Sequence, residues 1–168
     1  MPTVEDADAL GRVHARAWQA AYGGGLMPDA HLDALTEQDR AAMWRERLEN
    51  SPPLVGSCLV ATAEDGEVVG FIAVGRADEG HDARTGEVYA LNVDPDHWGT
   101  GAGCDLLAYG VDALTRSGFP AAVLWVHPGN ARARRFYEIH GWAEDGCERQ
   151  QDVLGVKVPQ TRYSRTLS

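Results

Sequence analysis

The sequence predicts an α/β fold in which a central mixed sheet is flanked by helices. Three observations predict it. Residues 87–93 suit a pleated strand, and they run into a glycine cluster and then a helical apolar period. Ala121–Val126 (AAVLWV) is a near-continuous apolar run, the pattern of a strand buried on both faces. It follows that helix at crossover distance, so it can lie parallel to strand 87–93. Upstream, two β-patterned runs flank Glu64-Asp65-Gly66 and read as an antiparallel hairpin.

The elements follow in order. Residues 5–22 read as an amphipathic helix with Ala9, Leu10, Val13, Ala17 and Trp18 near one face and Asp6 or Asp8 as its cap. Tyr22-Gly23-Gly24-Gly25 ends it, and Met27-Pro28-Asp29 opens a short second segment. A longer helix covers about residues 36–49. Thr36 with Asp39 approximates a capping box, and Met43, Trp44, Arg47 and Leu48 share a face. Ser51-Pro52-Pro53 is a break. The hairpin strands are residues 58–63 and 68–75, and residues 76–86 (RADEGHDARTG) are polar and loop-like.

Asp94-Pro95-Asp96 ends the central strand, since proline has no donor for a ladder. In the helix after the glycines, Leu107, Gly110, Val111 and Leu114 fall at i, i+3, i+4, i+7, and Gly118 stops it. His127-Pro128-Gly129 is a turn, and Asn130 caps a helix reading ARARRFYEIH that Gly141 ends. Asn130 and Tyr137 are seven residues apart and share a face, while Phe136 and Ile139 are expected to pack on the sheet. Two tail strands cover about residues 148–153 and 157–167, with Gly155 between them. No repeat, low-complexity stretch or linker divides residues 1–168, so one domain is expected.

Composition narrows the function classes. An apolar fraction of 44% and five tryptophans are those of a folded chain with a core. No apolar run approaches the roughly 18 residues needed to span a bilayer. The start MPTVEDADAL is acidic and has no apolar signal core. Cys58, Cys104 and Cys147 are odd in number and lack metal or redox spacing, which fits reduced thiols in a cytoplasm and no metal site. A net charge of −10 disfavours nucleic acid as a partner and leans toward a cationic acceptor. No membrane partner is expected.

Strand, glycine loop and helix start together form a candidate anion cradle. Glycines let a backbone approach a ligand closely, and free N–H groups at a helix start favour an anion. The bland alternative is a tight turn into a helix. A P-loop would require a lysine after the glycines, and none follows. A dinucleotide fingerprint would require a third glycine where Cys104 or Leu106 stands. The remaining pattern is [QR]-x-x-G-x-[GA], and Trp98-Gly99-Thr100-Gly101-Ala102-Gly103 matches its glycines but not its first position. Downstream, Asn130-Ala131-Arg132-Ala133-Arg134-Arg135-Phe136-Tyr137-Glu138-Ile139-His140-Gly141-Trp142 has the form N-A-R-A-x-x-F-Y-x-x-x-G-[FW].

These two motifs, in this order and spacing, resemble the coenzyme A loop and the last conserved helix of the GNAT N-acetyltransferase superfamily. The resemblance runs from about residue 5 to the C-terminus. It implies a mixed twisted sheet with two splayed parallel strands, and acetyl-CoA as cosubstrate. It implies that Gly99, Thr100, Gly101, Ala102, Gly103 and Cys104 bind the pyrophosphate through backbone N–H groups. It further implies that the Leu91 and Val93 backbones meet the acetyl carbonyl and pantetheine arm, with the Leu91 N–H polarising that carbonyl. Asn130 would bond the pantetheine chain, and Tyr137 would protonate the leaving thiolate. Two departures stand out. Trp98 replaces the usual Arg or Gln, and no strand pattern precedes the first helix, so that strand is either missing or encoded by an upstream start.

Acetyl transfer to an amine needs a base, because an alkylammonium with a pKa of about 10 cannot attack. Glu87, on the central strand, resembles the superfamily's base position; a charge at a strand end is the bland alternative. His97 and His127 flank the motifs as turn residues expected to be solvated. His14 and His31 are candidates to line an acceptor pocket, with a structural or exposed place as the favoured reading for each. Cys104 at a helix start suggests a reactive thiol, but a small residue beside the pyrophosphate is the simpler reading. The segment from Trp18 through Tyr22 to Met27 falls on the acceptor side by resemblance. The expected activity is direct transfer of acetyl to a primary amine, on a small molecule or a peptide N-terminus. The rival is a non-catalytic acyl-CoA sensor of the same fold. A homodimer is compatible with the resemblance.

Overall fold

Sixteen residues of helix, α1 (Ala7–Tyr22), open the fold after a 3-10 turn at Val4–Asp6. A computed structural model describes residues 1–50, 56–78 and 84–168. After α1 come α2 (Asp29–Ala34) and α3 (Glu37–Asn50), then strands β1 (Gly56–Thr62), β2 (Val68–Arg76) and β3 (Thr85–Val93). Helix α4 (Ala102–Arg116) crosses to β4 (Ala121–Val126), and α5 (Ala131–Ile139) leads into β5 (Ala143–Val153) and β6 (Val156–Thr166). One six-stranded sheet results, in the order β1-β2-β3-β4-β6-β5. Only β3 and β4 pair in parallel; every other neighbour is antiparallel.

Each face of the sheet is covered because its apolar residues alternate with the strand period. On one face Ile72, Val74, Val88, Leu124 and Val126 pack with Leu106, Leu107 and Leu114 of α4 and with Tyr137 of α5. On the other, Val68 and Phe71 pack with Leu10 and Val13 of α1 and Trp44 of α3. Helices α1 and α3 meet almost backbone to backbone at Gly11, where a Cβ would lie 2.4 Å from the Ala41 nitrogen. A third cluster seats α2 on the β5–β6 hairpin through Met27, Leu32, Leu35 and Val158, with Trp18 and Tyr22 against it.

The feature that positions the site is the brevity of the β3–β4 ladder. It runs only from Thr85↔Ala121 to Val88↔Leu124. Against β2, Val74 faces Val88 while Ala73 faces Ala90, so Tyr89 is an inserted residue. Such a bulge bends its strand. The far half of β3 leaves β4, whose own pairing with β6 continues to Val126. The expected splay is therefore present.

Several elements differ from the sequence expectation. Strand β3 begins at Thr85, not 87, and β5 begins at Ala143, with an irregularity between Glu144 and Glu148. That first part of β5 is an exposed polar edge, so no apolar alternation marks it. Ile139 does not pack on the sheet; it is 67% exposed, while Phe136 and Tyr137 turn inward. At the N-terminus, the Asp6 carboxylate accepts the Thr3 N–H at 2.7 Å, and Asp8 pairs with Arg45 instead of capping. The Thr36–Asp39 exchange does form, at 2.8 and 3.1 Å. No strand precedes α1 among the described residues, and β1 is an edge of the sheet. The break at Ser51-Pro52-Pro53 and residues 79–83 of the polar loop lie outside the described residues.

His14 is structural. Its ring accepts the Trp44 indole N–H at 3.3 Å and packs edge-on against Trp18, Trp44 and Phe71. Burial, helped by Arg40 and Arg47, pushes its pKa down to about 3 from 6.5. Between those values the unfolded chain holds a proton that the native state does not. Stability should therefore fall as pH drops below about 6.5, by about 1.4 kcal/mol per pH unit for this one group. His14→Gln keeps an acceptor for Trp44 and removes the titration. Urea midpoints between pH 6.5 and 4.5 should decline less steeply in that variant; parallel declines would contradict the assignment.

Candidate active site

Where β3 and β4 part, a cleft of about 580 Å³ opens. Leu91 and Val93 of β3 form one wall, and Asn130, Ala133, Phe136 and Tyr137 form the other. The glycine loop closes one end, and Ala17, Ala21 and Leu26, at the end of α1 and beyond it, reach the lining as well. Among the described residues no carboxylate lines this cleft, although acids outnumber bases 25 to 15 in the chain.

The loop has the form of a cradle. Gly99 and Gly101 have φ of +80° and +98°, a region in which other residues are strained, and a Cβ on either would project into open space. Gly101 is the N-cap of α4, so the first-turn N–H groups of a 15-residue helix face the opening. A polyanion fits here on two grounds: unobstructed backbone donors and the lack of lining carboxylates. Gly99, Gly101, Gly103 and Cys104 line the cleft, while Thr100 and Ala102 alternate away from it. The Thr100 hydroxyl is committed to the His97 carbonyl at 2.8 Å.

The loop is anchored at its entry. Asp94 is buried, caps the turn Pro95–His97 through the Asp96 N–H at 3.0 Å, and meets Arg16 of α1 at 3.2 Å; Arg16 also holds Asp96 at 2.8 Å. Trp98 donates its indole N–H to the Val93 carbonyl at 2.9 Å. The Arg132 guanidinium lies over the Trp98 ring, 3.4 Å from its centroid.

Helix α5 is fixed just as firmly. The Asn130 side-chain oxygen accepts the Ala133 N–H at 3.1 Å, the expected cap. That leaves the carboxamide NH2 to face a ligand. Arg134 ties the helix to the Tyr163 hydroxyl (3.0 Å), the Pro128 carbonyl (3.0 Å) and Glu144 (2.9 Å). Tyr137 is 9% exposed and lines the cleft. Burial, reinforced by Tyr22 nearby, raises its pKa well above the ordinary phenol value. It therefore holds its proton throughout the neutral range.

Glu87 lies apart from this group. It sits in the stretch of β3 still paired with β4, opposite Val123, and is not among the lining residues. It is 4% exposed, and its field reaches Tyr89 and Arg149. Because Val88 faces α4, strand alternation puts Glu87 on the face that α1 and α3 cover. His127 is not solvated, contrary to expectation. It is buried against Tyr22, its Nδ1 accepts the Gly129 N–H at 2.9 Å, and burial lowers its pKa. His97 lines the cleft, Cys104 is exposed at the α4 start, and His31 Nε2 is buried in α2.

Arg132, Arg16 and Asp94 are the site residues that the sequence does not announce. Arg132 falls inside a recognisable motif, but nothing local says that its partner is a tryptophan 34 positions earlier.

Among the described residues no helix is long and apolar enough to cross a membrane, and no metal-binding group of side chains occurs. Comparison with known proteins places this geometry. The acetyltransferase (GNAT) family pattern matches residues 17–142. The uncharacterized N-acetyltransferase YuaI of Bacillus subtilis is 27% identical over 94% of this chain and 86% of its own length. A mycothiol acetyltransferase of Sanguibacter keddieii is 35% identical over 75% of this chain, which spans only 39% of that protein. In fold, the chain is similar to the PaiA N-acetyltransferase from Thermoplasma acidophilum in complex with coenzyme A, with a TM-score of 0.70, 19% identity and coverage of 98% and 95% of the two chains. With three quarters of its length inside the family pattern, the splayed sheet and the glycine loop at its expected place, the chain belongs to the GNAT acetyltransferase family.

Proposed function

We propose that this chain transfers the acetyl group of acetyl-CoA to a primary amine by direct attack in a ternary complex. One observation carries the reading: a glycine loop on a helix N-terminus opens into a cleft that no carboxylate lines among the described residues and that also holds a buried, protonated tyrosine. The loop N–H groups of Gly99 to Cys104 would hold the pyrophosphate. Asn130 and the backbone of Leu91 and Val93 would hold the pantetheine arm, in the gap where β3 has no neighbour on its β4 side.

The thioester supplies an activated acetyl carbon. The amine nitrogen bonds to that carbon as the carbon–sulfur bond breaks, so one proton must leave the nitrogen and one must reach the sulfur. Tyr137 provides the second, and its raised pKa keeps the proton available at neutral pH. Glu87 takes the first through water, since it lies outside the cleft lining. Cys104 stands at the loop end of the cleft among the phosphate-binding positions, which supports direct attack over a cysteine relay. The resemblance to mycothiol acetyltransferases supports a small-molecule amine as acceptor, with a peptide N-terminus as the second class.

Two measurements test this. A Cβ at Gly101 meets no atom within 4 Å, so Gly101→Glu should fold with a cost of about 1–2 kcal/mol from its left-handed backbone. Its carboxylate should abolish the calorimetric signal that wild type gives with acetyl-CoA; wild-type affinity in the folded variant would contradict the cradle. In an amine screen, Tyr137→Phe should lower kcat by on the order of 100-fold while leaving the KM for acetyl-CoA within about threefold. An unchanged kcat would remove Tyr137 as the acid. Tight binding with no product from any amine would favour the sensor reading.

A further inference from the structure

Loop 98–104 carries no basic side chain of its own, yet the ligand proposed for it is a polyanion. Backbone donors and a helix dipole supply partial charges only. We infer that Arg132, seated on the Trp98 indole, supplies the missing full charge and binds the pyrophosphate of the acyl donor; this rests on the acetyl-CoA reading above.

Three observations converge on Arg132. First, from the start of α5 it lines the same cleft as Gly99 and Gly101. Second, it is an uncommitted cation. Among the described residues it has no ion pair and no hydrogen bond; its contact is the Trp98 ring. Arg134 on the same helix differs, being spent on Tyr163, Pro128 and Glu144. So do Arg12, Arg16, Arg45 and Arg116, each of which holds a carboxylate. In a chain of net charge −10, an exposed guanidinium at the cleft with no acid beside it is open to an anionic ligand.

Third, its position is built. The Trp98 ring is pinned by its N–H to the Val93 carbonyl at 2.9 Å. The guanidinium at 3.4 Å from the ring centroid is close enough for stacking and cation–π attraction. Stacking occupies the flat face and leaves the N–H edge open, and that edge is the part that grips a phosphate in a bidentate fork. Trp98 thus removes a polar side chain from the loop and, by the same substitution, creates the platform for a cation from α5.

The inference separates phosphate-bearing donors from bare ones. Calorimetric titration of wild type, Arg132→Ala and Arg132→Lys with CoA, dephospho-CoA and pantetheine reads it directly. Arg132→Ala should weaken CoA and dephospho-CoA alike by 10- to 100-fold, by loss of a charge-assisted bidentate contact, and change pantetheine binding less than twofold. Arg132→Lys keeps the charge but loses the fork and should fall between. The differences between variants should shrink in high salt. Unaltered CoA binding by folded Arg132→Ala would overturn the inference, as would equal losses for CoA and pantetheine, or a loss with CoA but none with dephospho-CoA. Failure of wild type to bind CoA at all would instead overturn the acetyl-CoA reading itself.

Discussion

Four pairs of residues hold β3 to β4, and the bulge at Tyr89 ends that ladder. Everything at the site depends on this short register. A strand that bends away from its parallel neighbour leaves main-chain groups without a sheet partner, and such groups are costly to leave unsatisfied unless water or a ligand takes them. The gap between the strands is the cleft. Its lower limit is set by Val88 and Leu124, both buried in the core on the α4 face, so it cannot zip further without displacing Tyr89. The loop after β3 and the helix after β4 then face each other across the opening, one bringing backbone donors and the other Asn130, Arg132 and Tyr137.

Electrostatics divides the molecule in two. The chain as a whole is acidic, but among the described residues no acid lines the cleft, and the acids nearest it hold structure. Asp94 and Asp96 secure the loop to α1 through Arg16, and Glu144 and Glu138 secure α5 through Arg134 and Tyr163. The cleft is thus a local exception in a negative field, with donors and a guanidinium at one end and a neutral phenol deeper in. A polyanionic donor and a basic acceptor are the pair of ligands that such a division favours.

The order of the elements and the cradle were legible because their signals are local. Gly99 and Gly101 sit where φ is positive, Asn130 caps α5, and the AAVLWV run is the buried parallel strand. Legibility ended where partners are distant in sequence. The Trp98–Arg132 stack joins two motifs that read as independent, and its geometry follows from the splay. The start of β5 is not legible in the sequence because an exposed polar edge has no apolar alternation. Helical facing puts Ile139 with Phe136 toward the sheet, but Ile139 is the last residue of α5 and is exposed, while Phe136 and Tyr137 turn inward. The turn sequence at His127 predicts a solvated ring, and packing against Tyr22 of α1 buries it. Glu87 stands out in the sequence by its place on the central strand and its resemblance to the superfamily's base position; the ladder that pairs it with Val123 keeps it outside the cleft lining.

The central claim is that the β3–β4 gap and its glycine loop are the acyl-donor site. Amide hydrogen exchange of the wild-type chain with and without acetyl-CoA tests it most directly, because the claim concerns backbone donors. Slowed exchange confined to residues 91–93, 99–105 and 130–133 is the predicted result. Unchanged exchange there would contradict it. So would protection centred on the smaller cavity of about 300 Å³ that Arg76, Ser117 and Phe119 line at the other end of α4.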